Sequence, residues 1–401
     1  MQALILSNYT VTTAIGCGNQ ANFNSLQQQK SGLIPNNFLN TELNTWIGRI
    51  NAIEEQVLPD GFENYQCRNN QLAYLTLQSD DFSNAIEQAK AKYDSDKIGV
   101  FLGTSTSGIL STELAYAELH NGAFLNPDLL HFREQHNNFS LAEFVQKYFG
   151  LCGPAQVIST ACSSSAKVFA TASKYIEMGL CDAAIVGGVD SLCLTTLYGF
   201  NSLELLSDEV CRPYNQNRKG LSIGEAGAFA LLEKESNDPQ DSSIYLLGYG
   251  ESSDAYHMSS PHPDGLGAIK AIQSAINMAK LNPEQIDYVN LHGTATPVND
   301  KVEDKAIFNI FGHTTKCSST KGWTGHTLGA AGAVEAIFSA LCLKNNFLPA
   351  SLNTQQLDET LKSNILLDNN SQELHTVLSN SFGFGGNNCS LVFADNQGGQ
   401  I

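Results

Sequence analysis

A strand–helix–strand unit at residues 157–189 most constrains how this chain can fold. An apolar run ends in small polar residues and Cys162, and a segment of helical character follows. Phe169, Ala172 and Ile176 recur at i, i+3 and i+7, so one face of this segment can be buried. A second apolar run then completes the unit. The pattern predicts an α/β fold in which Cys162 stands where a helix begins.

The position of Cys162 has a chemical consequence. Unpaired backbone N–H groups and the positive end of the helix dipole favour a thiolate, so the position predicts a stronger nucleophile than an ordinary cysteine. The same N–H groups can hold a developing oxyanion. A buried structural cysteine is the alternative, because free cysteines are among the most buried residues. This stretch alone leaves both interpretations open.

The same alternation of strands and helices continues along the 401 residues. Predicted strands lie at residues 1–7, 97–103, 157–158, 183–189, 228–232, 244–249, 286–291, 376–380 and 390–393, and predicted helices at 70–92, 163–178, 267–280, 302–311 and 329–343. A polar break at residues 237–243 predicts a boundary between two halves, 1–243 and 244–401. Their similar content indicates a duplicated architecture. The mainly helical insertion at 109–150 is predicted to cap an active site or to form a subunit interface.

Charge and composition exclude several classes of protein. A formal net charge of −18 argues against nucleic acid or an anionic membrane as a partner. No apolar run reaches the roughly 20 residues of a membrane span, and the segment at 329–343 carries Glu335, so it is predicted to be a core helix. The ten cysteines form no C-x-x-C pair, and the first residues lack the features of a signal peptide. These features predict a cytoplasmic protein with reduced thiols.

Three glycine-rich polar stretches in the second half look like active-site loops. They are residues 289–300 with His292, residues 318–332 with Lys321 and His326, and residues 380–388. Each alone has a plainer interpretation as a structural histidine, a solvated lysine or a tight turn. A zinc site from Cys162, His292 and His326 is disfavoured, since no pair of them has helical or knuckle spacing.

Taken together, four motifs resemble one family. They are Thr-Ala-Cys-Ser-Ser at 160–164, His-Gly-Thr-x-Thr at 292–296, Lys-x-x-x-Gly-His at 321–326 and Asn-Ser-Phe-Gly-Phe-Gly-Gly at 380–386. In this order they resemble the β-ketoacyl-acyl-carrier-protein synthases of the elongating type. Initiating and chalcone-type enzymes fit less well, because they have asparagine where His326 stands. The resemblance implies a thiolase-like, duplicated five-layered αβαβα fold, usually found as a homodimer.

The resemblance also implies a decarboxylative Claisen condensation. Cys162 would take an acyl group from a carrier-protein thioester, and malonyl-carrier protein would then lose carbon dioxide to give an enolate. His292 and His326 match the residues that bind the enolate oxygen, and Lys321 and Glu335 match an ion pair that orders the site. No metal or redox cofactor is implied, because the substrates are carried on phosphopantetheine.

Further residues match substrate-contacting positions of the family. The backbone N–H groups of Cys162 and Phe384 would form the oxyanion hole, and the Phe384 ring would gate the acyl pocket. Thr294 and Thr296 would hydrogen-bond the pantetheine arm. Other residues expected to contact the substrate are Phe200, Phe382 and Gly385.

Docking of the acyl carrier protein is where the sequence departs from the family. Arg68 and Arg212 occupy plausible docking positions, but residues 121–127 carry Phe124 and Leu125 where many relatives have basic residues. Long-range steering between an acidic enzyme and an acidic carrier is repulsive. Recognition is therefore expected to be more apolar, or the carrier or a partner subunit to be specialised.

Several functions remain open at this stage. The chain could serve general fatty-acid elongation, or polyene or polyketide assembly as a homodimer or with a ketosynthase-like paralogue. A non-catalytic subunit is opposed by the retention of Cys162, both histidines and Lys321. A degradative thiolase is disfavoured, because it would lack the two-histidine pattern and Cys389 is outside a Cys-Gly setting.

Overall fold

The alternating apolar segments form a mixed sheet of two repeated halves, with helices between the halves and on the outer face of each. The computed structural model describes residues 2–39, 41–120, 130–234 and 243–398. The strands are β1 (Leu4–Thr13), β2 (Gly16–Cys17), β3 (Leu33–Pro35), β4 (Trp46–Gly48), β5 (Ile98–Gly103), β6 (Ala155–Ile158), β7 (Ala183–Asp190), β8 (Ile223–Gly224), β9 (Ala226–Lys234), β10 (Ile244–Ser253), β11 (Tyr288–Asn290), β12 (Lys316–Ser318), β13 (Phe347–Leu348), β14 (Asn364–Ile365), β15 (Asn370–Ser371), β16 (Thr376–Gly383) and β17 (Asn387–Ala394). The helices are α1 (Asn19–Gln27), α2 (Arg68–Leu77), α3 (Phe82–Lys92), α4 (Ile109–His120), α5 (Ser140–Phe149), α6 (Ser164–Glu177), α7 (Leu194–Ser202), α8 (Leu266–Met278), α9 (Pro297–Phe311), α10 (Lys321–Thr324) and α11 (Ala331–Asn345).

The main sheet carries the same strand order twice. Its order is β14-β12-β11-β16-β17-β10-β1-β9-β7-β5-β6. In the first half β5 lies parallel between β6 and β7, and β9 lies antiparallel between β7 and β1. In the second half β11 lies parallel between β12 and β16, and β17 lies antiparallel between β16 and β10. The halves join where β1 pairs with β10, Leu4 opposite Leu246, so the predicted duplication is confirmed.

Alternation along the strands divides the apolar core into layers. In β9, Ala228, Ala230 and Leu232 face an inner core, whereas Phe229 and Leu231 face an outer one. Successive strand residues point to opposite faces of a sheet, so a strand buried on both faces is apolar throughout. Helices α2, α3 and α5 cover the outer face of the first half, and α8 and α9 cover that of the second.

Helices α6 and α11 form the layer between the two halves. Both contribute to the inner core, and α11 is buried from Ala331 to Leu343, as expected of a helix that is apolar all round. In the described part of the chain, residues 328–345 are long and apolar enough to cross a membrane, but 89% of this segment is buried inside the fold. It is therefore the core helix that the sequence predicted. The resulting order of layers is helix, sheet, helix, sheet, helix.

The helix predicted at 70–92 consists of two separate helices in the structure. The segment at 70–92 was expected to be continuous, but α2 ends at Leu77 and α3 begins at Phe82. Asp80 and Asp81 between them have left-handed φ angles of 54° and 59°, which break a helix. The Asp80 carboxylate is also bound by the backbone N–H of Asn19. The predicted half boundary and the stretch at 121–127 fall mostly or wholly on residues outside the described ranges, and both stay predictions.

Candidate active site

The second half of the chain supplies its site residues from the ends of three parallel strands. His292 follows β11 by two residues, Lys321 follows β12 by three, and Phe384 follows β16 directly. Since β12, β11 and β16 are parallel neighbours, their carboxyl ends meet at one edge of the sheet. The three predicted loops therefore converge there.

Cys162 comes from the first half, in the connection between β6 and α6. Ala161 before it has a left-handed φ of 54°, a conformation that residues with a Cβ adopt sparsely and that is concentrated at functional sites. Helix α6 begins at Ser164, so the predicted place of Cys162 at a helix N-terminus is confirmed. The side chain is buried and lines a cavity shared with His292 and His326.

His326 contacts the cysteine directly. Its Nε2 lies 3.0 Å from Cys162 Sγ, and its Nδ1 accepts a hydrogen bond of 3.1 Å from the backbone N–H of Leu328. A ring nitrogen that accepts an N–H carries no proton, so the proton of the neutral imidazole is on Nε2. His326 therefore donates toward the sulfur and stabilises negative charge there.

His292 is held in the same tautomer by a lysine. Nζ of Lys321 lies 3.4 Å from His292 Nδ1 and also donates to the carbonyl oxygen of His292. Because an ammonium can only donate, Nδ1 is the acceptor and Nε2 carries the proton. Lys321 forms an ion pair with Glu335, and both are buried. The expected Lys321–Glu335 pair is thus present, behind His292 rather than in the cavity.

The electrostatics keep both imidazoles neutral. Burial, followed by the charge of Lys321 and by His326, lowers the pKa of His292 well below its usual value. Burial and Lys321 lower the pKa of His326 in the same way. Burial also raises the pKa of Glu335 to about 7, against the attraction of Lys321. At neutral pH the cavity therefore presents two neutral N–H donors.

The pKa of the Cys162 thiol differs from what the sequence predicted. Burial raises its pKa to about 11, although the charge of Lys321 and the backbone N–H of Phe384 act in the opposite direction. The predicted lowering by the helix N-terminus is wrong, because desolvation of a buried thiolate outweighs it. The resting nucleophile is a thiol, and groups around it stabilise the thiolate as it forms.

The glycine-rich turn after β16 lies against the cysteine. A Cβ built on Gly383 would stand 2.8 Å from the carbonyl oxygen of Thr160 and 3.2 Å from the backbone N of Cys162, so only glycine fits without displacement. The backbone N–H of Phe384 acts to lower the pKa of the cysteine, so it lies near the sulfur. That the N–H groups of Cys162 and Phe384 together form an oxyanion hole stays a prediction.

The cavity above Cys162 measures about 320 Å³ and contains most of the predicted substrate-binding residues. Thr294 and Thr296 line it, with their hydroxyl oxygens 2.9 Å apart. Phe200 and Phe384 also line it and stack, with ring centroids 5.7 Å apart and planes at 20°. Phe382 lies on its wall, 6.0 Å from the His292 ring between centroids.

Three predicted site residues lie elsewhere. Gly385 is outside the cavity lining and turns the chain with a φ of 76°. Arg68 is 9% exposed, and its guanidinium binds the fully buried Glu225, so its position contradicts the predicted docking role. Arg212 stays at the surface, outside the cavity, and forms an ion pair with Glu209.

Two buried carboxylates of the site were not predicted. Glu303 on α9 accepts the backbone N–H of His292 at 2.8 Å and that of Gly293 at 2.7 Å. Asp190 at the end of β7 accepts from Thr104, Ser105 and Thr106 in the loop after β5. The sequence signal for Glu303 is weak, since it is one acidic residue in the middle of a helix that follows the histidine–glycine pair at 292–293.

The protonation states of the two histidines make Cys162, His292 and His326 a poor site for a metal ion. One ligand atom from each of Cys162, His292 and His326 lies within 4.8 Å of the others, a spacing that could suit zinc. A metal on either Nε2 would move the imidazole proton to Nδ1, against the N–H of Leu328 or the ammonium of Lys321. The donor set therefore fits hydrogen-bond donation better than coordination.

Comparisons with known proteins agree with this geometry. Sequence models of the beta-ketoacyl synthase N-terminal and C-terminal domains match residues 67–238 and 244–355. The chain is 35% identical over 318 residues to 3-oxoacyl-[acyl-carrier-protein] synthase 2 of Staphylococcus aureus, covering 74% of this chain and 77% of that one. It is 40% identical over 268 residues to the mitochondrial 3-oxoacyl-[acyl-carrier-protein] synthase of Arabidopsis thaliana, covering 62% of this chain and 58% of that protein's length.

Solved structures show the same fold. A chain in the complex of the ketosynthase ApeO with its chain length factor ApeC from Xenorhabdus doucetiae is 38% identical, with a TM-score of 0.90 and 98% of each chain covered. A beta-ketoacyl synthase from Burkholderia phymatum, 24% identical, has a TM-score of 0.86 over 98% of this chain and 100% of that one, and shows the fold alone. From its sequence, its thiolase-like fold and the cysteine–histidine–histidine site, the chain belongs to the beta-ketoacyl synthase family of condensing acyltransferases.

Proposed function

We propose that the chain is a 3-oxoacyl-[acyl-carrier-protein] synthase that condenses a Cys162-bound acyl group with malonyl-carrier protein. One observation carries the proposal. Cys162 Sγ lies 3.0 Å from Nε2 of His326, in a cavity that His292 also lines, and both imidazoles are fixed as Nε2–H donors. A nucleophile, two neutral donors and an oxyanion hole are the groups that acyl transfer and enolate attack require.

The first step transfers the acyl group. Sulfur of Cys162 attacks the thioester carbonyl, the new C–S bond forms, and the pantetheine thiol leaves with the proton that the cysteine gives up. His326 and the N–H of Phe384 stabilise negative charge on the sulfur as the proton departs. A thiol with a raised pKa is a good leaving group only when such donors support its thiolate, so the same contacts serve the second step.

The second step forms the carbon–carbon bond. Malonyl thioester loses carbon dioxide, and the Nε2–H groups of His292 and His326 hold the enolate oxygen. The enolate carbon attacks the acyl carbonyl, whose oxygen is held by the N–H groups of Cys162 and Phe384. The C–S bond to the cysteine breaks, giving 3-oxoacyl-carrier protein, and one proton from solvent restores the thiol. The chemistry balances without a metal or redox cofactor.

The cavity shape supports a phosphopantetheine substrate. Thr294 and Thr296 line the cavity that also contains Cys162, and their hydroxyl groups can bind the amides of a pantetheine arm. The stacked rings of Phe200 and Phe384 line the same cavity.

The function is tested by intact-mass spectrometry with a panel of acyl-carrier thioesters. The wild-type chain should gain the mass of the acyl group, and Cys162→Ala should not. Cys152→Ala removes an exposed cysteine and serves as the matched control, which should acylate normally. Subsequent addition of malonyl-carrier protein should release the adduct as 3-oxoacyl-carrier protein. No adduct from any donor, alone or with a partner subunit, would refute the proposal.

A second candidate is that the chain acts as the catalytic subunit of a heterodimer. The supporting observation is its 38% identity, over 98% of its length, to a chain from a complex of a ketosynthase with its chain length factor. Strand β6, which leads to Cys162, is an edge strand of the described sheet, so its free backbone groups are available to pair with a strand of another subunit. Light scattering of the purified chain, alone and co-expressed with a ketosynthase-like paralogue, separates a homodimer from a heterodimer. The predicted cytoplasmic location stays a prediction.

A further inference from the structure

The mouth of the cavity is surrounded by exposed apolar side chains from three separate segments. Leu203 follows α7, Met258 lies in the loop after β10, and Val298 is in the first turn of α9. They are 51%, 77% and 54% exposed, and Leu203 and Val298 line the cavity itself. The carbonyl oxygen of Met258 accepts the N–H of Gly385 at 2.7 Å, which places this residue beside Phe384.

The described lining of the cavity is acidic rather than basic. Among the described lining residues there are two carboxylates, Glu204 and Asp254, and neither lysine nor arginine. The basic residues of the loop after α7 are already paired: Arg212 with Glu209, Lys219 with Asp208 and Glu209, and Arg218 with Asp300 and Asp358. Arg68, the other candidate for a docking cation, is buried.

We infer that Leu203, Met258 and Val298 form the docking surface for the carrier protein, which is recognised through apolar contact rather than through salt bridges. This inference rests on the proposed function, because it takes the occupant to be the carrier that delivers the pantetheine arm. The arm has to enter through this mouth to reach Cys162. A chain of net charge −18 repels an acidic carrier at long range, and neither lysine nor arginine is among the described residues that line the cavity and could offset that repulsion.

Salt dependence follows directly from this arrangement. Added salt screens the repulsion between two acidic proteins and leaves apolar contact intact. With an acidic carrier, kcat/KM should therefore stay level or rise between low and high sodium chloride concentrations. Docking through salt bridges would make it fall steeply over the same range.

Charge substitutions at Met258 separate the two modes of docking. Met258→Lys and Met258→Glu place opposite charges on the most exposed of the three side chains, and Val57→Lys and Val57→Glu are the matched control at an equally exposed apolar residue away from the cavity. The substrates are the octanoyl thioester of an acidic holo-carrier protein and octanoyl-pantetheine, used with the protein in its native assembly. The readout is kcat/KM for the octanoyl carrier protein divided by kcat/KM for octanoyl-pantetheine.

The expected result is that both Met258 variants lower this ratio by roughly tenfold, as for a central apolar interface residue, while both Val57 variants leave it unchanged. A higher ratio for Met258→Lys with a lower one for Met258→Glu would show electrostatic docking and overturn the inference. An unchanged ratio for both would place docking elsewhere and also overturn it. If no acyl-carrier thioester of the panel acylates the wild-type protein, alone or with a partner subunit, the proposed function itself fails, which is a different outcome.

Discussion

The carboxylate of Asp190 accepts the backbone N–H of Ala330 at 3.1 Å, a contact between the two halves of the chain. Asp190 ends β7 in the first half, whereas Ala330 lies in the turn that follows His326 in the second. The same carboxylate binds the loop after β5 through Thr104, Ser105 and Thr106. Asp190 therefore fixes the turn whose Leu328 N–H sets the tautomer of His326.

We predict that Asp190→Asn lowers the condensation rate more than it weakens substrate binding. The amide would place N–H₂ against N–H donors, shift the Leu328–Ala330 turn and loosen His326. We expect kcat to fall by at least about tenfold with little change in KM, and stability to fall by about 1–3 kcal/mol as for a lost buried acceptor. Steady-state kinetics and urea unfolding measure the two. Asp182→Asn, immediately before the same strand and in an ion pair with Lys234, is the control. An unaltered kcat in Asp190→Asn would contradict the positioning role.

Glu303→Gln should uncouple acylation from condensation. Glu303 holds the backbone N–H groups of His292 and Gly293, so its loss displaces the imidazole that binds the enolate but leaves Cys162 and His326 in contact. Intact-mass spectrometry should show normal acyl-enzyme, while carbon dioxide release from malonyl-carrier protein falls by about tenfold or more. The exposed Glu284→Gln should change neither rate. Equal losses in both steps would show that Glu303 supports the whole site rather than His292.

Alkylation of Cys162 by iodoacetamide should accelerate with pH well beyond neutrality. Burial raises the pKa of the thiol to about 11, so the thiolate fraction increases about tenfold per pH unit up to that value. Peptide mass spectrometry can follow the rate from pH 7 to 10 in the intact protein, with the exposed Cys152 as an internal reference. Lys321→Met removes a charge that lowers this pKa, and should slow alkylation at every pH tested. A plateau below pH 9 would show a thiolate at rest.

Substitution of Arg68 should lower the free energy of unfolding strongly, whereas substitution of Arg212 should hardly change it. Arg68→Met leaves the carboxylate of Glu225 buried without its cation, which typically costs about 3–5 kcal/mol. Arg212→Met removes a surface ion pair and should change the free energy of unfolding by less than about 1 kcal/mol. Urea unfolding of both variants tests this. A raised KM for the carrier with unchanged stability in Arg68→Met would restore its docking role.

The sequence was sufficient for the most strongly patterned strands and helices and for the motifs that meet at the site. Periodicity predicted β5, β7, α6 and α11 within one or two residues, because each is a strongly apolar or amphipathic segment. The resemblance supplied Cys162, His292, His326 and Lys321, and the structure brings all four together. Strand β12 was not predicted, because Cys317 is its only apolar residue and gives no apolar run.

Properties that depend on tertiary packing, such as burial and long-range ion pairs, could not be predicted from the sequence. The raised pKa of Cys162 follows from burial, which no local motif reports. Arg68 looked like a surface cation because its partner, Glu225, lies 157 residues away along the chain. Asp190 and Glu303 are ordinary acidic residues in sequence, and their importance appears only when the backbone N–H groups that they bind are known.

The junction of β1 with β10 has a consequence for how the protein folds. β1 pairs with both β9 and β10, and each of these strands lies more than 200 residues further along the chain. Cys162 and His326 are themselves 164 residues apart in sequence. Contacts of such long range close slowly, because the chain loses entropy before they form. The reactive pair is therefore expected to form late in folding, and a partly made chain that ends before His292 carries the thiol without its histidines.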